Sequence, residues 1–369
     1  HILAEPMRTN LIPYSEEISQ YSRAGGTTVI NDNTTSPDGT VNASKVTKGG
    51  TTPNERVYVD NFNISNTTNY SLSAFIKNDD IVNGGVSTIA ARNNGGTLFR
   101  QGYEWNGSTL SITSSQQGGT RTNVLLEDYG NGWWKIGFSF TSDGTQADIE
   151  FDIDRVNGAD TTAIFLWGVQ LEVGSYGTSY IPNFGTAAGV TRNQDIFTRD
   201  GIGSLINSTE GVLFVEMAAL SDDGTDRRLS LSNGTVGNAI NIGLSRFSGN
   251  INAEIHSGGV LQTSGWGATG VTQTNNNKFA LSWGSGAMKF YVNGSPKSSQ
   301  TGVTSPIGLN NLKFSSGDDT LNMFGKVKQL QVYDTALTDE QLLQLTGESG
   351  TDFYESYAEM ASALTYTIQ

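Results

Sequence analysis

Glu150, Asp152 and Asp154 occupy alternate positions in Ile149-Glu-Phe-Asp-Ile-Asp154. Side chains of an extended chain alternate between its two faces, so this spacing puts three carboxylates on one face and Ile149, Phe151 and Ile153 on the other. Paired carboxylates can cleave glycosides, one as acid/base and the other as nucleophile or base. The competing reading is a half-exposed strand that turns its acids to water. Other chemistries have less to work with. Cysteine is absent and histidine is limited to His1 and His256, so a Ser-His-Asp site would have to use His256, and no Gly-x-Ser-x-Gly elbow accompanies it. Two distant histidines do not supply the usual nitrogen ligands of zinc. Carboxylates also gather in two glycine-bearing loops, Asp222, Asp223 and Asp226 in one, Asp318 and Asp319 in the other. A structural calcium ion and a plain acidic turn are the two readings of each; neither loop follows the EF-hand pattern. No other cofactor is expected, since no phosphate-cradling glycine motif follows a strand and opens a helix.

Sugar binding by a β protein needs an aromatic face to stack on pyranose C–H groups, with polar side chains around it. Arg100-Gln-Gly-Tyr103-Glu-Trp105-Asn-Gly107 places Arg100, Tyr103, Glu104 and Trp105 close to a turn. Trp266, between Gly265 and Gly267 in a polar loop, is the foremost exposed aromatic candidate. Arg227, Arg228 and Arg246 can offer bidentate contacts to acidic sugars or a partner protein. The alternative is that Trp105 and Trp266 plug loops over the core. A net charge of −14 argues against nucleic acid and anionic membranes, which need a basic footprint. No apolar run approaches the roughly 18 residues of a membrane span. The first thirty residues lack a leader pattern, and secretion stays open.

The elements that must position these residues are strands. With 45 glycines and only 16% charged residues among abundant Asn, Thr and Ser, the composition is that of short strands joined by tight turns. The expected fold is all-β: two tandem β-sandwich domains, the first a jelly roll, with a short C-terminal helical extension. Alternation marks about ten strands before residue 173, as a sandwich or jelly roll requires. The first domain is expected over 1–185, a linker over 186–205, the second sandwich over 206–347 and the helical extension over 348–369. Asn106-Gly107 and Asn293-Gly294 read as type I′ hairpin turns. Thr338 and Gln341 form a capping box, with Leu337 able to staple onto Leu342 in a helix that runs to about Thr346. Trp167 through Pro182 closes the first domain: Trp167, Val169, Leu171 and Val173 are expected to face the core, Gln170 and Glu172 to face outward.

Thr9-Asn-Leu-Ile-Pro-Tyr-Ser-Glu16, Asn131-Gly-Trp-Trp-Lys-Ile136, Trp167-Gly-Val-Gln-Leu-Glu172, Thr178-Ser-Tyr-Ile-Pro182 and Val190-Thr-Arg192 resemble jelly-roll modules of tailed-phage and marine bacterial surface proteins, which are similar to carbohydrate-binding modules. Lys278-Phe-Ala-Leu-Ser-Trp283, Lys289-Phe-Tyr-Val-Asn-Gly294 and Gly325 through Asp334 with Ala336-Leu-Thr-Asp-Glu-Gln341 resemble a laminin-G-like, concanavalin A-like sandwich. The resemblance implies a non-enzymatic adhesion or structural protein of a phage tail or similar surface assembly, extracellular or on the virion. Its partners would be a host or environmental glycan, further copies of itself or other tail proteins. A second reading is a glycan-binding module pair from a secreted polysaccharide-degrading enzyme of a marine bacterium. A third is a glycoside hydrolase: the strand of Glu150 resembles the acidic strand of concanavalin A-like endoglucanases. It departs from that strand in ending on Asp, and it stands in the first domain.

Overall fold

The computed structural model describes residues 2–347 except 51, 53, 95, 114–116, 157–159, 246 and 264–269. The helical extension expected over 348–369 lies outside the described residues. The chain divides into two compact units, one made of Met7–Gln194 and the other of His1–Pro6 with Asp195–Gln369. Both are antiparallel β-sandwiches. Ile2–Ala4 therefore belongs to the later sandwich, where it pairs with Gly325–Tyr333.

In the unit Met7–Gln194 one sheet runs in the order Thr122–Gly130, Trp133–Thr141, Asn69–Asn78, Ala163–Val173, Val41–Thr47, Thr28–Thr35. The facing sheet runs Thr109–Ile112, Leu98–Asn106, Val86–Asn93, Gln146–Asp152, Arg56–Asn63, Ser22–Ala24. Inward residues of both sheets, among them Leu72, Ile76, Phe138, Phe140, Ile149, Phe151 and Leu166, form one core. Asn10 staples the N-terminal segment to the last strand. Its Nδ2 donates to the carbonyls of Val169 (3.1 Å) and Ile181 (2.8 Å), and its Oδ1 accepts from the amides of Ile12 (3.1 Å) and Leu171 (3.2 Å). All the hydrogen-bonding capacity of this buried amide is thus used.

The last strand departs from simple alternation. Gly168 has φ +63°, and the pairing register shifts between Trp167 and Gln170; an extra residue at a left-handed glycine is a β-bulge. Val169 and Leu171 enter the main core. Trp167 instead joins Phe75, Trp133 and Ala43 in a separate cluster, and Val173 is exposed. The expected core-facing row thus breaks at the bulge. Gln170 and Glu172 are buried rather than solvated, because the returning chain lies on them. The Thr178 amide donates to Glu172 Oε2 (2.9 Å) and the Ile181 amide to Gln170 Oε1 (2.6 Å).

The second sandwich pairs a sheet of order Ile2–Ala4, Gly325–Tyr333, Gly211–Ala219, Asn277–Gly284, Ala287–Val292, Ser295–Thr301 with one of order Thr198–Arg199, Asn311–Lys313, Arg227–Ser232, Ala239–Leu244, Ile251–Ser257, Val260–Leu261. Asn293 and Gly294 both take positive φ, as a type I′ turn requires. At the other hairpin the central residues are Gly107 and Ser108, since Asn106 pairs with Thr109. Only Gly107 has positive φ, the pattern of type II′. The helix Asp339–Thr346 carries the expected capping box between Thr338 and Gln341. Leu337 and Leu342 join Val212, Phe214, Ala280, Tyr291 and Tyr333 beneath it.

Candidate functional site

Because Ile149, Phe151 and Ile153 fill the core, the three acids point to the opposite face of their sheet. They do not meet water there. The residues paired across the sheet are Tyr58, Glu150, Ala90 and Arg100 in one row, and Arg56, Asp152, Thr88 and Gly102 in the next. Arginines from three neighbouring strands close over the carboxylates. Arg92 grips Glu150 with a fork, Nε to Oε1 at 2.6 Å and Nη2 to Oε2 at 3.3 Å. Arg100 Nη2 reaches Oε2 at 2.8 Å, and Arg56 Nε stands 3.6 Å from Oε1. Asp152 Oδ2 accepts from Thr88 Oγ1 at 2.5 Å and faces Arg155 Nη1 at 3.2 Å and Arg100 Nε at 3.4 Å. Asp154 Oδ1 accepts from the amides of Val86 (3.1 Å) and Val156 (2.9 Å).

The layer is polarised from inside to outside. The side chains of Glu150 and Asp152 are fully buried, whereas those of Arg92, Arg56 and Arg155 are 40%, 23% and 24% exposed. Tyr58 is half-buried, and the Arg56 guanidinium lies over its ring, 5.3 Å from the centroid and inside the ~6 Å reach of a cation–π contact. Ala90 and Gly102 supply no side-chain bulk between Glu150 and Arg100 or beside Thr88. Burial would raise the Glu150 carboxyl. The Arg92 hydrogen bonds and the charges of Arg56, Arg92 and Arg100 outweigh it and hold the group below the usual glutamate value. A carboxylate so committed is a poor proton donor near neutral pH. Both earlier readings of this strand are therefore corrected. The acids neither face solvent nor stand free to act as nucleophile and acid.

The hairpin candidates separate. Arg100 belongs to the cluster just described. Tyr103 and Trp105 are fully buried, with Tyr103 Oη donating to the carbonyls of Leu125 (3.0 Å) and Gly137 (2.9 Å) and Trp105 Nε1 to Ser87 Oγ (2.9 Å). Rings with no exposed surface cannot stack on a sugar, so both are core residues with their polar tips satisfied. Trp266 and Arg246 lie outside the described residues. Arg56, Tyr58, Arg92 and Arg155 were not singled out from sequence, although Arg56 and Tyr58 share one face by alternation. What joins them to Glu150 is the register between distant strands.

In the second sandwich Arg227 is also buried, Nη2 on Asp223 Oδ1 at 2.7 Å and Nη1 on the Thr225 carbonyl at 3.1 Å. It staples its own loop and presents nothing outward. Arg228 forks onto Glu254 at 2.5 and 3.1 Å, and His256 Nε2 lies 3.3 Å from the same carboxylate. Beside this ion pair the outer face of the sheet carries Ser230, Asn241 and Asn252, buried, with Ser230 Oγ, Asn241 Oδ1 and both amide atoms of Asn252 lacking a partner. The acidic loops do not converge. Asp222 accepts from Ser248, Asp223 holds Arg227, and Asp226 is half-buried in the same loop. Asp318 accepts from Ser316 and Thr320, and Asp319 pairs with Lys313 at 2.8 Å. Among the described residues no three such side chains gather where a metal ion could sit, and no helix is long and apolar enough to cross a membrane.

Residues 214–343 match the laminin-G-type family model described as the concanavalin A-like lectin/glucanases superfamily. The second sandwich is thus laminin-G-like over that range. No curated protein matches the chain. Among solved structures, the leech intramolecular trans-sialidase is 19% identical over 44% of this chain and 28% of its own length, with a TM-score of 0.32. The CBM40 of the Ruminococcus gnavus IT-sialidase, bound to α2,3-sialyllactose, is 19% identical over 41% of this chain and 98% of its own, at 0.31. A xylan-binding domain from Paenibacillus barcinonensis is 11% identical over 48% and 100%, at 0.28.

Proposed function

We propose that the chain is a glycan-binding protein and that the outer face around Glu150 is its binding surface. The observation that carries this is the layered cluster. Guanidinium groups are held in fixed positions by buried carboxylates, and a half-buried tyrosine lies against one of them. Arginines anchored in this way lose little freedom on binding, and a tyrosine beside them offers apolar surface to a sugar ring. The lectin-type family match of the second sandwich supports the same class of ligand for the chain as a whole. The setting we favour is a non-enzymatic adhesion or structural role in a phage tail or similar extracellular assembly, on the motif resemblance alone. A module pair from a secreted polysaccharide-degrading enzyme is the alternative. A stable homo-oligomer in solution favours the first setting, and a monomer retarded on polysaccharide gels favours the second.

A glycan array with the full chain, Tyr58→Ala and Trp266→Ala tests the site. The reading expects binding by the parent and its loss in Tyr58→Ala. Retention in Tyr58→Ala with loss in Trp266→Ala would move the site to the stretch around Trp266.

A further inference from the structure

Accepting that the Glu150 face binds glycan, we infer that its ligands are anionic sugars, bearing carboxylate or sulfate groups. The argument is which hydrogen-bonding groups remain available. Glu150, Asp152 and Asp154, the carboxylates at the centre of the layer, are turned inward, while Asp148 and Glu104 flank it along their strands. Glu150 Oε1 and Oε2 are taken by Arg92 and Arg100, Asp152 Oδ2 by Thr88 and Arg155, and Asp154 Oδ1 by two backbone amides. All three side chains are buried. The ion-pairing groups that this central cluster leaves at the surface are the guanidiniums of Arg56, Arg92 and Arg155, which donate and never accept. Arg92 commits Nε and Nη2 to Glu150 and keeps Nη1 uncommitted; Arg155 commits Nη1 to Asp152.

A neutral sugar hydroxyl both donates and accepts, so a surface offering donors uses half of what it brings. A carboxylate or sulfate offers acceptor oxygens alone, in the planar or forked spacing that guanidinium matches. The buried acids fix the arginine orientations and offset their mutual repulsion, so several cations can stand together before any ligand arrives. Non-specific attraction of polyanions is disfavoured for a chain of net charge −14, so retention of an anionic glycan would report a built site.

The test is calorimetric titration of the full chain with oligogalacturonate, a sulfated galactan, and uncharged laminarin and xylan oligosaccharides. Binding of at least one anionic ligand some tenfold or more tighter than either neutral one is expected, with the two anionic arms separating carboxylate from sulfate. Arg92→Lys keeps the charge but removes the fork, and is expected to weaken anionic binding about tenfold or more while its melting curve reports an intact fold. If that variant unfolds, chemical blocking of arginines in the presence and absence of oligogalacturonate gives the same answer, protection of Arg92 being expected. Equal affinity for neutral and anionic ligands would overturn this inference and leave the glycan reading standing. No binding to any of the four would overturn both.

Discussion

Replacing Glu150 by Gln keeps the shape of the side chain and removes its charge. The consequence follows from the contacts. Oε1 accepts from Arg92 Nε at 2.6 Å, while Oε2 accepts from Arg100 Nη2 at 2.8 Å and Arg92 Nη2 at 3.3 Å. An amide can place its oxygen at only one of those positions. Its NH₂ then faces guanidinium donors at the other, and Arg100, almost wholly buried, keeps only Asp152 as a nearby counter-charge. Removing one partner of a buried ion pair costs about 3 to 5 kcal/mol. For a unit of this size that lowers the melting temperature by roughly 6 to 20 °C. Differential scanning calorimetry of the full chain is the assay, and the transition of the Met7–Gln194 sandwich is the one that should move. A loss below about 1 kcal/mol, the range of exposed surface pairs, would refute the claim that these carboxylates sit beneath a protein-made lid of arginine. The pH dependence carries the same sign. The folded-state value of Glu150 is depressed, so its contribution is complete above the ordinary glutamate value and is lost as pH falls through the lower folded one. Glu150→Gln should be flatter than the parent across that acid window.

Other expectations follow from single contacts. Asn10→Ala leaves four buried backbone groups without their partner and should destabilise the first sandwich by about 3 kcal/mol or more in urea unfolding. Gly168→Ala places a Cβ 2.9 Å from the Phe75 ring at a φ of +63°; a loss of about 1 to 3 kcal/mol is expected, and a neutral result would contradict the bulge. Thr338→Ala removes the helix cap and should cost about 1 kcal/mol, read as a shift in the thermal transition of the second sandwich.

Much of the fold was legible because it is written locally. Ile149, Phe151 and Ile153 alternate with acids, Asn293-Gly294 carries the positive φ of its turn, and Thr338 with Gln341 caps its helix. The bulge at Gly168 was harder to read. A glycine within a strand pattern signals one, but the reversal of Trp167 relative to Val169 depends on which residue is left unpaired. The site was half legible. Period-2 spacing correctly gathered Glu150, Asp152 and Asp154 on one face, yet whether that face meets water depends on Arg56, Arg92 and Arg100, from strands up to about a hundred residues away. Tyr103 and Trp105 misled for a related reason. They sit beside polar residues near a turn, but their strand is central enough that alternate positions enter the core, and their polar tips find partners at Gly137 and Ser87.

The central claim is that the arginine and tyrosine face of the first sandwich recognises glycan. Its most direct measurement is the affinity of the parent and of Tyr58→Ala for one glycan identified on the array, with calorimetry confirming that both are folded. Loss of binding in a folded Tyr58→Ala variant is the predicted result. An unchanged affinity in that variant would contradict the account.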